Sequence, residues 1–490
     1  MTAGSRPGPD GIATEEEVVA MHTHHEYVTA RRPELERWAR ELGADGVRYI
    51  QVQFPDLLGS LRTKICPLAK GLAPEGDGLN TALFSCCHGD GEPIGVPVFE
   101  APVGGFANGF PNYISIADPA TVIRLPWQPD TAAVITNATR TDGEACPLDA
   151  RAQLAAIEQQ AAAMGFETRF ALEYELCIFA ADDELHRQGR HALLKPWGRS
   201  LLNYDLLRAP GFESLARELI ARLDGIGIGT AAVHTEYGRG MIEYALAPLP
   251  ALAAADAAVR SKLYLKQLCE EQGLVATFMA RCRPVGSESA SGAHHHQSLR
   301  RDGRNVFNEP GSAMLSETGR HYAGGLLHTM RELHVLFRPT INSYRRMDRQ
   351  AWSPEDVSWG MENRCTALRG ITIPSATSAR IEHRVPGADV NPYLTIAGML
   401  AGGLYGIRER IDPGPPCRGD PMVEGSFERL PRTLPDSTAH FRSSAFARAT
   451  FGDEFVEHYA LGRDAEWQAW LGWLDSHVTE FEYRRYFDSL

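Results

Sequence analysis

The sequence predicts an α+β fold in which a small β-rich domain precedes a larger domain of acid-bearing strands and long helices. Residues 68–145 are rich in Gly, Pro and Asn and contain only short runs of β-forming residues. The composition changes at Cys146-Pro-Leu-Asp149, where Asp149 is a candidate N-cap for an Ala- and Gln-rich helix. Farther on, apolar segments carry carboxylates in the alternating pattern of strands. At 490 residues, the chain is long enough for two domains with separate cores.

We predict three parts from these changes in composition. Residues 1–42 form an N-terminal extension, disordered up to about residue 14 and then helical to Leu42. Residues 43–145 form the β-rich domain, and residues 146–490 form the large domain. The cluster Met21-His-Thr-His-His25 could hold a metal, but a solvated helix start is the simpler interpretation.

Composition restricts the function more than it restricts the fold. The net charge of −13 argues against a general nucleic-acid binder, which would carry a basic patch, and favours small-molecule partners. No run approaches the ~20 apolar residues needed to cross a bilayer, so no membrane association is expected. The acidic start of the chain lacks the apolar core of a signal peptide, which predicts a cytoplasmic protein. Nine scattered cysteines without a C-x-x-C motif indicate reduced thiols.

A hairpin is predicted near the start of the β-rich domain. The alternating segment from Val47 to Phe54 ends at the turn Pro55-Asp-Leu-Leu-Gly59, and strand character resumes from Leu61 to Pro67. Asp56 then lies at the tip of the hairpin. Taken alone, it is an ordinary turn residue.

The segment Arg169–Ala180 is predicted to be a strand with two acids on one face. Alternate side chains of a strand share a face, so Glu173 and Glu175 lie opposite Leu172, Tyr174 and Leu176. Two carboxylates in so apolar a run need a cation, because burying unpaired carboxylates is costly. The alternative is an edge strand whose acidic face is solvated.

Further acids, histidines and arginines follow on strand-like segments. Glu236 and Glu243 bracket a Gly-x-Gly bend, and His294 and His296 share a face if their segment is extended. The segment 380–384 alternates Arg, Glu and Arg. So many arginines indicate a bound polyanion, with a surface ion-pair network as the alternative.

In this order and spacing, the segments resemble the glutamine synthetase family, over residues 46–486. The matching motifs are Glu-x-Glu, Glu-x-Gly-x-Gly-x-x-Glu, Ser-Gly-x-His-x-His-x-Ser-Leu, Asn-Ser-Tyr-x-Arg, Asn-Arg-x-x-x-x-Arg, Arg-Ile-Glu-x-Arg and Asn-Pro-Tyr-Leu. Each motif is weak alone, but seven in order are specific. The resemblance implies an N-terminal β-grasp-like domain and a catalytic domain whose antiparallel strands form a half-barrel with helices.

The resemblance also implies an ATP-dependent amide ligase. ATP would phosphorylate the side-chain carboxylate of glutamate, or of a close relative, and an amine would displace phosphate to give an amide. The resemblance implies two to three Mg²⁺ or Mn²⁺ ions per site. Carboxylates and imidazole are suitable ligands for these ions. One ion would be held by Glu175, Glu236 and Glu243, and the other by Glu173, His294 and Glu382.

Further roles are implied by position in the motifs. His296, Ser298, Arg369 and Arg380 match positions that meet ATP or its phosphates. Arg364 matches the arginine that stabilises the transferring phosphoryl group, and Arg346 and Arg384 match those that bind the amino-acid substrate. Asp56 matches an aspartate presented to the active site of a neighbouring subunit, which implies a homo-oligomer, often a dodecamer of two rings, with active sites between subunits.

Four residues depart from the pattern of a glutamine synthetase. The glutamate that helps bind ammonium falls at Trp352, which predicts a larger, organic amine; a tryptophan that merely plugs the channel is the alternative. The usual Asn-Gly ahead of the His-rich motif reads Ser289-Ala290, and a glutamine reads Met241, which puts glutamate itself as acyl donor in question. The sequence therefore favours a γ-glutamyl-amine ligase that resembles the γ-glutamylpolyamine, γ-glutamylethanolamine or γ-glutamylanilide synthetases. An ammonia-dependent glutamine synthetase and a catalytically silent family member are the alternatives.

Overall fold

A computed structural model describes residues 15–85, 101–141, 143–199, 201–207, 211–348, 352–372, 378–425 and 427–489. The predicted disordered start, residues 1–14, lies outside the described residues. The backbone of the predicted N-terminal helix is described as one helix, but the side chains of Met21 to His25 are not. The candidate metal cluster there therefore stays a prediction.

The α+β fold class is confirmed. The strands are β1 (Tyr49–Pro55), β2 (Leu61–Pro67), β3 (Asp77–Asn80), β4 (Asn112–Ala117), β5 (Ile123–Arg124), β6 (Thr131–Thr139), β7 (Glu167–Ala180), β8 (Thr230–Thr235), β9 (Met241–Leu246), β10 (Leu274–Thr277), β11 (Ala293–Arg301), β12 (Arg304–Asn305), β13 (Trp359–Met361), β14 (Leu368–Ile371) and β15 (Arg380–His383).

The helices connect and cover these strands. They are α1 (Glu15–Ala44), α2 (Leu68–Gly71), α3 (Ala150–Ala163), α4 (Asp183–Arg187), α5 (Phe212–Gly225), α6 (Ala251–Glu271), α7 (Glu317–Thr329), α8 (His334–Phe337), α9 (Pro392–Glu409), α10 (Pro421–Glu424), α11 (Leu434–Ser443), α12 (Ala445–Phe451), α13 (Asp453–Ser476) and α14 (Glu480–Tyr486).

The first sheet contains β1 to β6, in the order β2-β1-β6-β4-β3 with β5 beside β6. The predicted hairpin is β1 and β2, which pair antiparallel, whereas β1 and β6 pair parallel. One face of the sheet buries Ile50, Ala132 and Val134 against Leu35 and Leu42 of α1. This face of the sheet thus forms a small hydrophobic core together with α1.

The second sheet contains β7 to β15 and curls into a half-barrel, with the order β13-β14-β15-β11-β7-β9-β8. Its pairs are antiparallel except for β13 with β14. One face packs on helices α3, α6, α7 and α9. Leu172, Tyr174 and Leu176 of β7 lie fully buried on this face, so the acids of β7 point to the other, concave face. The fold thereby places the acidic residues inside the half-barrel.

Helix α3 starts where the N-cap signal predicts. The Asp149 carboxylate accepts hydrogen bonds from the backbone N–H groups of Arg151 and Ala152, 2.9 and 3.1 Å away. Arg151 in turn connects the first sheet to helix α6. Its guanidinium lies 2.9 Å from Asp118, which follows β4, and 2.9 Å from Asp256 of α6.

We expect Arg151→Ala to lower the free energy of unfolding by about 3–5 kcal/mol, because it leaves two largely buried carboxylates without their partner. Thermal and urea unfolding at fixed protein concentration measure the change. Arg217→Ala is the matched control: Arg217 pairs with Glu213 on α5 with 79% of its side chain exposed, and its loss should change little. Equal unfolding midpoints for the two variants would contradict a stabilising role for the ion pairs of Arg151.

Candidate active site

Strand register brings the predicted metal ligands to neighbouring positions. Glu173 of β7 lies opposite His294 of β11, and Glu175 of β7 lies opposite Glu243 of β9. His296 of β11 lies opposite Glu382 of β15. Directly opposed residues of antiparallel strands have Cβ atoms ~4.5–5.5 Å apart, so residues from distant parts of the chain share one polar surface.

Glu173, His294 and Glu382 form the first cluster. Their candidate ligand atoms all lie within 4.8 Å of one another. His294 Nδ1 is 3.6 Å from an oxygen of each carboxylate, and His296 Nε2 is 2.9 Å from Glu173 Oε1. Burial alone would raise the pKa of Glu382, but Arg384 and the two histidines outweigh it and lower the pKa to about 2. The pKa of Glu173 is also lowered, because the effect of the two histidines outweighs that of burial. Both carboxylates are therefore ionised at neutral pH.

A second cluster lies at the ends of β8 and β9. The candidate ligand atoms of Glu175, Glu243 and His294 lie within 4.8 Å of one another. Those of Glu243, Glu236 and His234 form a second group with the same spacing. Burial, together with the charges of Glu175 and Glu243, raises the pKa of Glu236 to about 7. Three carboxylates that repel one another so strongly suit a divalent cation, whose charge removes the repulsion. The donor set therefore fits the ions that the sequence implies.

His234 is a site residue that the sequence interpretation did not identify. Its Nε2 lies 3.1 Å from Glu243 Oε1, and its Nδ1 lies 3.6 Å from Glu236 Oε1. Burial alone would lower the pKa of His234, but Glu243 outweighs it and the pKa is raised. The sequence shows that His234 and Glu236 alternate and can share a strand face. The pairing of His234 with Glu243 depends on the register of β8 and β9, which the sequence does not show.

Arginines surround the first cluster on the side of β14 and β15. Arg369 donates to Glu382 at 3.1 Å and to Glu362 at 2.7 Å. Arg380 Nε donates to His296 Nδ1 at 3.0 Å. Arg384 donates to Glu382. Ser298 is half-buried two residues beyond His296 on β11, on the same face. These cations suit the phosphates of a nucleotide.

Arg346 is held inside the protein beside the metal-ligand cluster. It is 2% exposed, and its Nη1 donates to Ser353 Oγ at 3.1 Å and to the carbonyl oxygens of Arg384 and Val385. Its Nη2 lies 3.4 Å from His294 Nε2. A Cβ at Gly292 would lie 2.6 Å from this Nη2 and 2.9 Å from His294 Nε2, so a larger residue there would displace the guanidinium or the imidazole. Burial lowers the pKa of Arg346 to about 10, so it stays cationic.

Arg384 and Arg364 approach each other from consecutive motifs. Arg384 Nε donates to the backbone carbonyl of Arg364 at 3.1 Å, and Arg384 is buried whereas Arg364 is exposed. The site thus combines two clusters of metal-ligand type with buried and exposed arginines. It is equipped to neutralise a polyphosphate and a carboxylate together.

A family model described as "Glutamine synthetase, catalytic domain" matches residues 147–486. The chain belongs to the glutamine synthetase family. It is 33% identical over 383 residues to a γ-glutamylethanolamide synthetase of Streptomyces coelicolor, covering 78% of this chain and 80% of that one. It is also 33% identical over 389 residues to a glutamate–isopropylamine ligase of a Pseudomonas species, with 78% and 83% covered. A glutamine synthetase of Methanosarcina mazei is 29% identical over 462 residues, with 91% and 95% covered.

Solved structures give the same family. An ADP complex of GmaS superposes with a TM-score of 0.78 at 27% identity, covering 92% of this chain and 99% of that one. GmaS without ligand gives 0.77 at 26% identity, with the same coverage. Among the described residues, no helix combines the length and apolar character that crossing a bilayer requires.

Trp352 is the residue predicted to replace the family's ammonium-binding glutamate. Its side chain is 53% exposed and lines a cavity instead of filling it. Its φ of +51° lies in the left-handed region, which bulky residues rarely adopt. Strain of this kind is maintained only where the surroundings impose it, and it is concentrated at functional sites.

The other predicted departures from the family, Ser289, Ala290 and Met241, lie near the Gly-x-Gly bend. Ala290 is buried, and the backbone N–H of Ser289 donates to the carbonyl of Tyr237 at 3.1 Å, near the Gly-x-Gly bend. Met241 is buried in an apolar cluster with Cys177, Phe179 and Leu194. A side chain buried among apolar groups offers no hydrogen bond to a bound amino acid.

Asp56 lies at the tip of the β1–β2 hairpin, apart from these clusters. Its carboxylate accepts hydrogen bonds from the N–H groups of Leu58 and Ser60 and lies 2.8 Å from Arg62 Nε. Burial raises the pKa of Asp56, against the effect of Arg62. Asn391, the N-cap of α9, donates to the carbonyls of Asp56 and Leu57 and fixes the tip against the large domain.

Proposed function

We propose that this protein is an ATP-dependent ligase that couples the side-chain carboxylate of glutamate, or of a close relative, to an organic amine. The observation that carries the proposal is Trp352, which stands in place of the ammonium-binding glutamate and opens onto a cavity. The relatives named for ethanolamide, isopropylamine and anilide products support it. The products would be a γ-glutamyl amide, ADP and phosphate.

The clusters have separate roles in this proposal. Glu173, His294 and Glu382 would hold one ion, and Glu175, Glu236 and Glu243, with His234 beside them, would hold another. Mg²⁺ or Mn²⁺ suits these oxygen-rich sets, and two to three ions per site are expected. When bound, such ions supply charge neutralisation at the phosphate oxygens.

Side chains of this protein orient the two reactants. Arg346 and Arg384 would bind the carboxylates of the acid substrate, and His296, Ser298, Arg369 and Arg380 would contact ATP. Arg364, being exposed, can turn towards the γ-phosphoryl group as it moves from ATP to the acid. The neutral amine then attacks the acyl carbon, phosphate leaves, and the nitrogen loses a proton.

We also propose that the active unit is a homo-oligomer, a dodecamer of two rings in the family's usual arrangement. The hairpin tip, with Asp56, would lie at the active site of the neighbouring subunit and help to take the proton from the amine. The rigid attachment of the tip by Asn391 supports a role that needs exact positioning. The mass of the particle in solution tests this arrangement.

The decisive experiment for the proposed reaction is phosphate release from Mg²⁺-ATP and L-glutamate in the presence of single amines. Ethanolamine, methylamine, n-butylamine, putrescine and aniline are compared with ammonium. We expect at least one organic amine to exceed ammonium in kcat/KM by about tenfold or more, since the ammonium-binding acid is absent. Release with ammonium alone would identify a glutamine synthetase, and no release with any amine would point to a different acyl donor or a silent member.

A further inference from the structure

A cavity of about 640 Å³ lies where the tip of the β1–β2 hairpin meets the large domain. Its walls come from residues 58–61 of the hairpin tip, from α6, from residues 277–279 at the end of β10, from residues 340–345 and from α13. Small-molecule sites in proteins typically enclose ~300–1,000 Å³, so this space is large enough for a metabolite.

The cavity is separate from the candidate active site. Lys262 of α6 lines it, and the Nζ atom of this lysine lies 5.3 Å from the ring centre of Tyr174. Tyr174 lies on the helix-covered face of β7, opposite the acids of the metal-ligand clusters. Among the described residues that line the cavity, none belongs to those clusters or to the arginines assigned to ATP and the acid substrate.

Three cationic side chains line this cavity, those of Lys262, Lys266 and Arg345. The Lys262 ammonium donates a hydrogen bond to the carbonyl of Ala388 at 2.8 Å, and its other N–H groups can serve a ligand. Burial, together with the charge of Lys266, lowers the pKa of Lys262 to about 7. An anion beside Lys262 would favour its charged form.

Two acids also line the cavity, but both are engaged by other groups. Asp389 accepts hydrogen bonds from the hydroxyls of Thr340 and Ser343, at 2.8 and 2.6 Å, and its other oxygen is inaccessible. Glu466 accepts a hydrogen bond from Arg463 at 2.8 Å. The donors that remain for a ligand are therefore those of the cations, which favours an anion.

The remaining walls are largely apolar. Phe278 is buried with its ring centre 4.9 Å from Lys262 Nζ, and Leu263, Ile341 and Trp470 also line the cavity. An aromatic body would bury its ring against these side chains. A carboxylate suits the anionic group better than a phosphate ester does, because a single charge costs less to move out of water than a double charge.

We propose that this cavity is a second small-molecule site, which binds an aromatic carboxylate and regulates the enzyme. Lys262 would pair with the carboxylate, and Lys266 and Arg345 would add to the positive field around it. Phe278 and Trp470 would contact the ring.

The position of Lys262 provides the route for regulation. Lys262 donates to Ala388, the next residue Asp389 accepts from Ser343, and Ser343 lies on the turn that ends at Arg346. A carboxylate that draws Lys262 away from Ala388 would disturb the arginine assigned to the acid substrate. This consequence rests on the proposed ligase function, and we expect occupancy to raise the KM for the acid and not the KM for ATP.

Isothermal titration calorimetry with 3-phenylpropionate tests the site on the unaltered protein. Saturating Mg²⁺-ADP and L-glutamate are present, so that the active site is already filled. The matched neutral probe is 3-phenylpropionamide, which has the same ring and chain. We expect the carboxylate to bind at least about tenfold more tightly than the amide. Equal affinities, or no binding of either probe, would overturn the proposal.

Two variants locate the bound probe. Lys262→Met should weaken 3-phenylpropionate binding by about tenfold or more, and Lys266→Gln, at an exposed position, by about threefold. Lys70→Gln is the matched control, because Lys70 pairs with Asp77 with 55% of its side chain exposed and does not line the cavity. Thermal stabilisation by Mg²⁺-ADP checks that all three variants are folded. Unchanged affinity in folded Lys262→Met and Lys266→Gln proteins would overturn the assignment.

Phosphate release tests the regulatory role. We expect 3-phenylpropionate to raise the KM for the acid in the unaltered protein and to have no such effect in Lys262→Met. An unchanged KM, or a rise that persists in Lys262→Met, would overturn this role, since the second result indicates competition at the active site. No phosphate release with any amine would overturn the proposed function and the regulatory role, whereas probe binding that depends on Lys262 would still support the second site.

Discussion

Glu173→Ala is expected to reduce phosphate release by at least about a thousandfold at saturating ATP, acid and amine. Glu173 lies within 4.8 Å of His294 and Glu382, and it is also the partner of His296 at 2.9 Å. Removing it takes one of three ligands from the cluster and leaves two histidines close to each other without their shared carboxylate. Less of the negative charge on the phosphates would then be neutralised. His296 would also lose the carboxylate that positions it.

The control lies on the same strand. Glu167 at the start of β7 has 53% of its side chain exposed and faces Arg169, outside the clusters, so Glu167→Ala should retain turnover. Mn²⁺ titration followed by electron paramagnetic resonance provides a readout independent of turnover, and Glu173→Ala should bind fewer or weaker ions. Unchanged activity in a folded Glu173→Ala protein would refute the ligand assignment.

Local signals in the sequence predicted much of the fold. The Asp149 cap fixed the start of α3, the turn at Asp56 joined β1 to β2, and the alternation around Glu173 predicted β7. Each of these signals depends on a few neighbouring residues, whose backbone preferences and burial pattern act over the same short range. Family motifs then supplied the order of the catalytic strands, which periodicity alone would not give.

The rest of the site depends on pairing between distant segments. His234 meets Glu243 only because β8 and β9 pair in one particular register, and a shift of one residue would turn His234 to the other face. Which acid lies beside His234 is therefore a property of the assembled sheet.

In the proposed reaction, the single substitution at Trp352 would alter the choice of amine. Selectivity is a difference between two affinities, and a carboxylate in the amine path favours a small cation that it can also deprotonate. An indole offers an apolar surface and an aromatic face instead. We therefore expect the residue at position 352 to determine whether ammonium or an alkylamine is preferred, while the two metal-ligand clusters are left unchanged.

Trp352→Glu is therefore expected to shift the ratio of kcat/KM for ammonium over n-butylamine upward by at least about tenfold, because a hydrogen bond to a charged group is worth roughly 1.5–3 kcal/mol. Phosphate release with each amine measures the ratio. Trp352→Gln is the matched control, since it removes the ring and adds a polar group of similar size without the charge. If glutamine shifts the ratio as far as glutamate does, the lost ring and not the new carboxylate is responsible. A Trp352→Glu protein that loses activity equally with both amines, yet still binds Mg²⁺-ADP, would contradict a selective role for this position and favour a tryptophan that only shapes the channel.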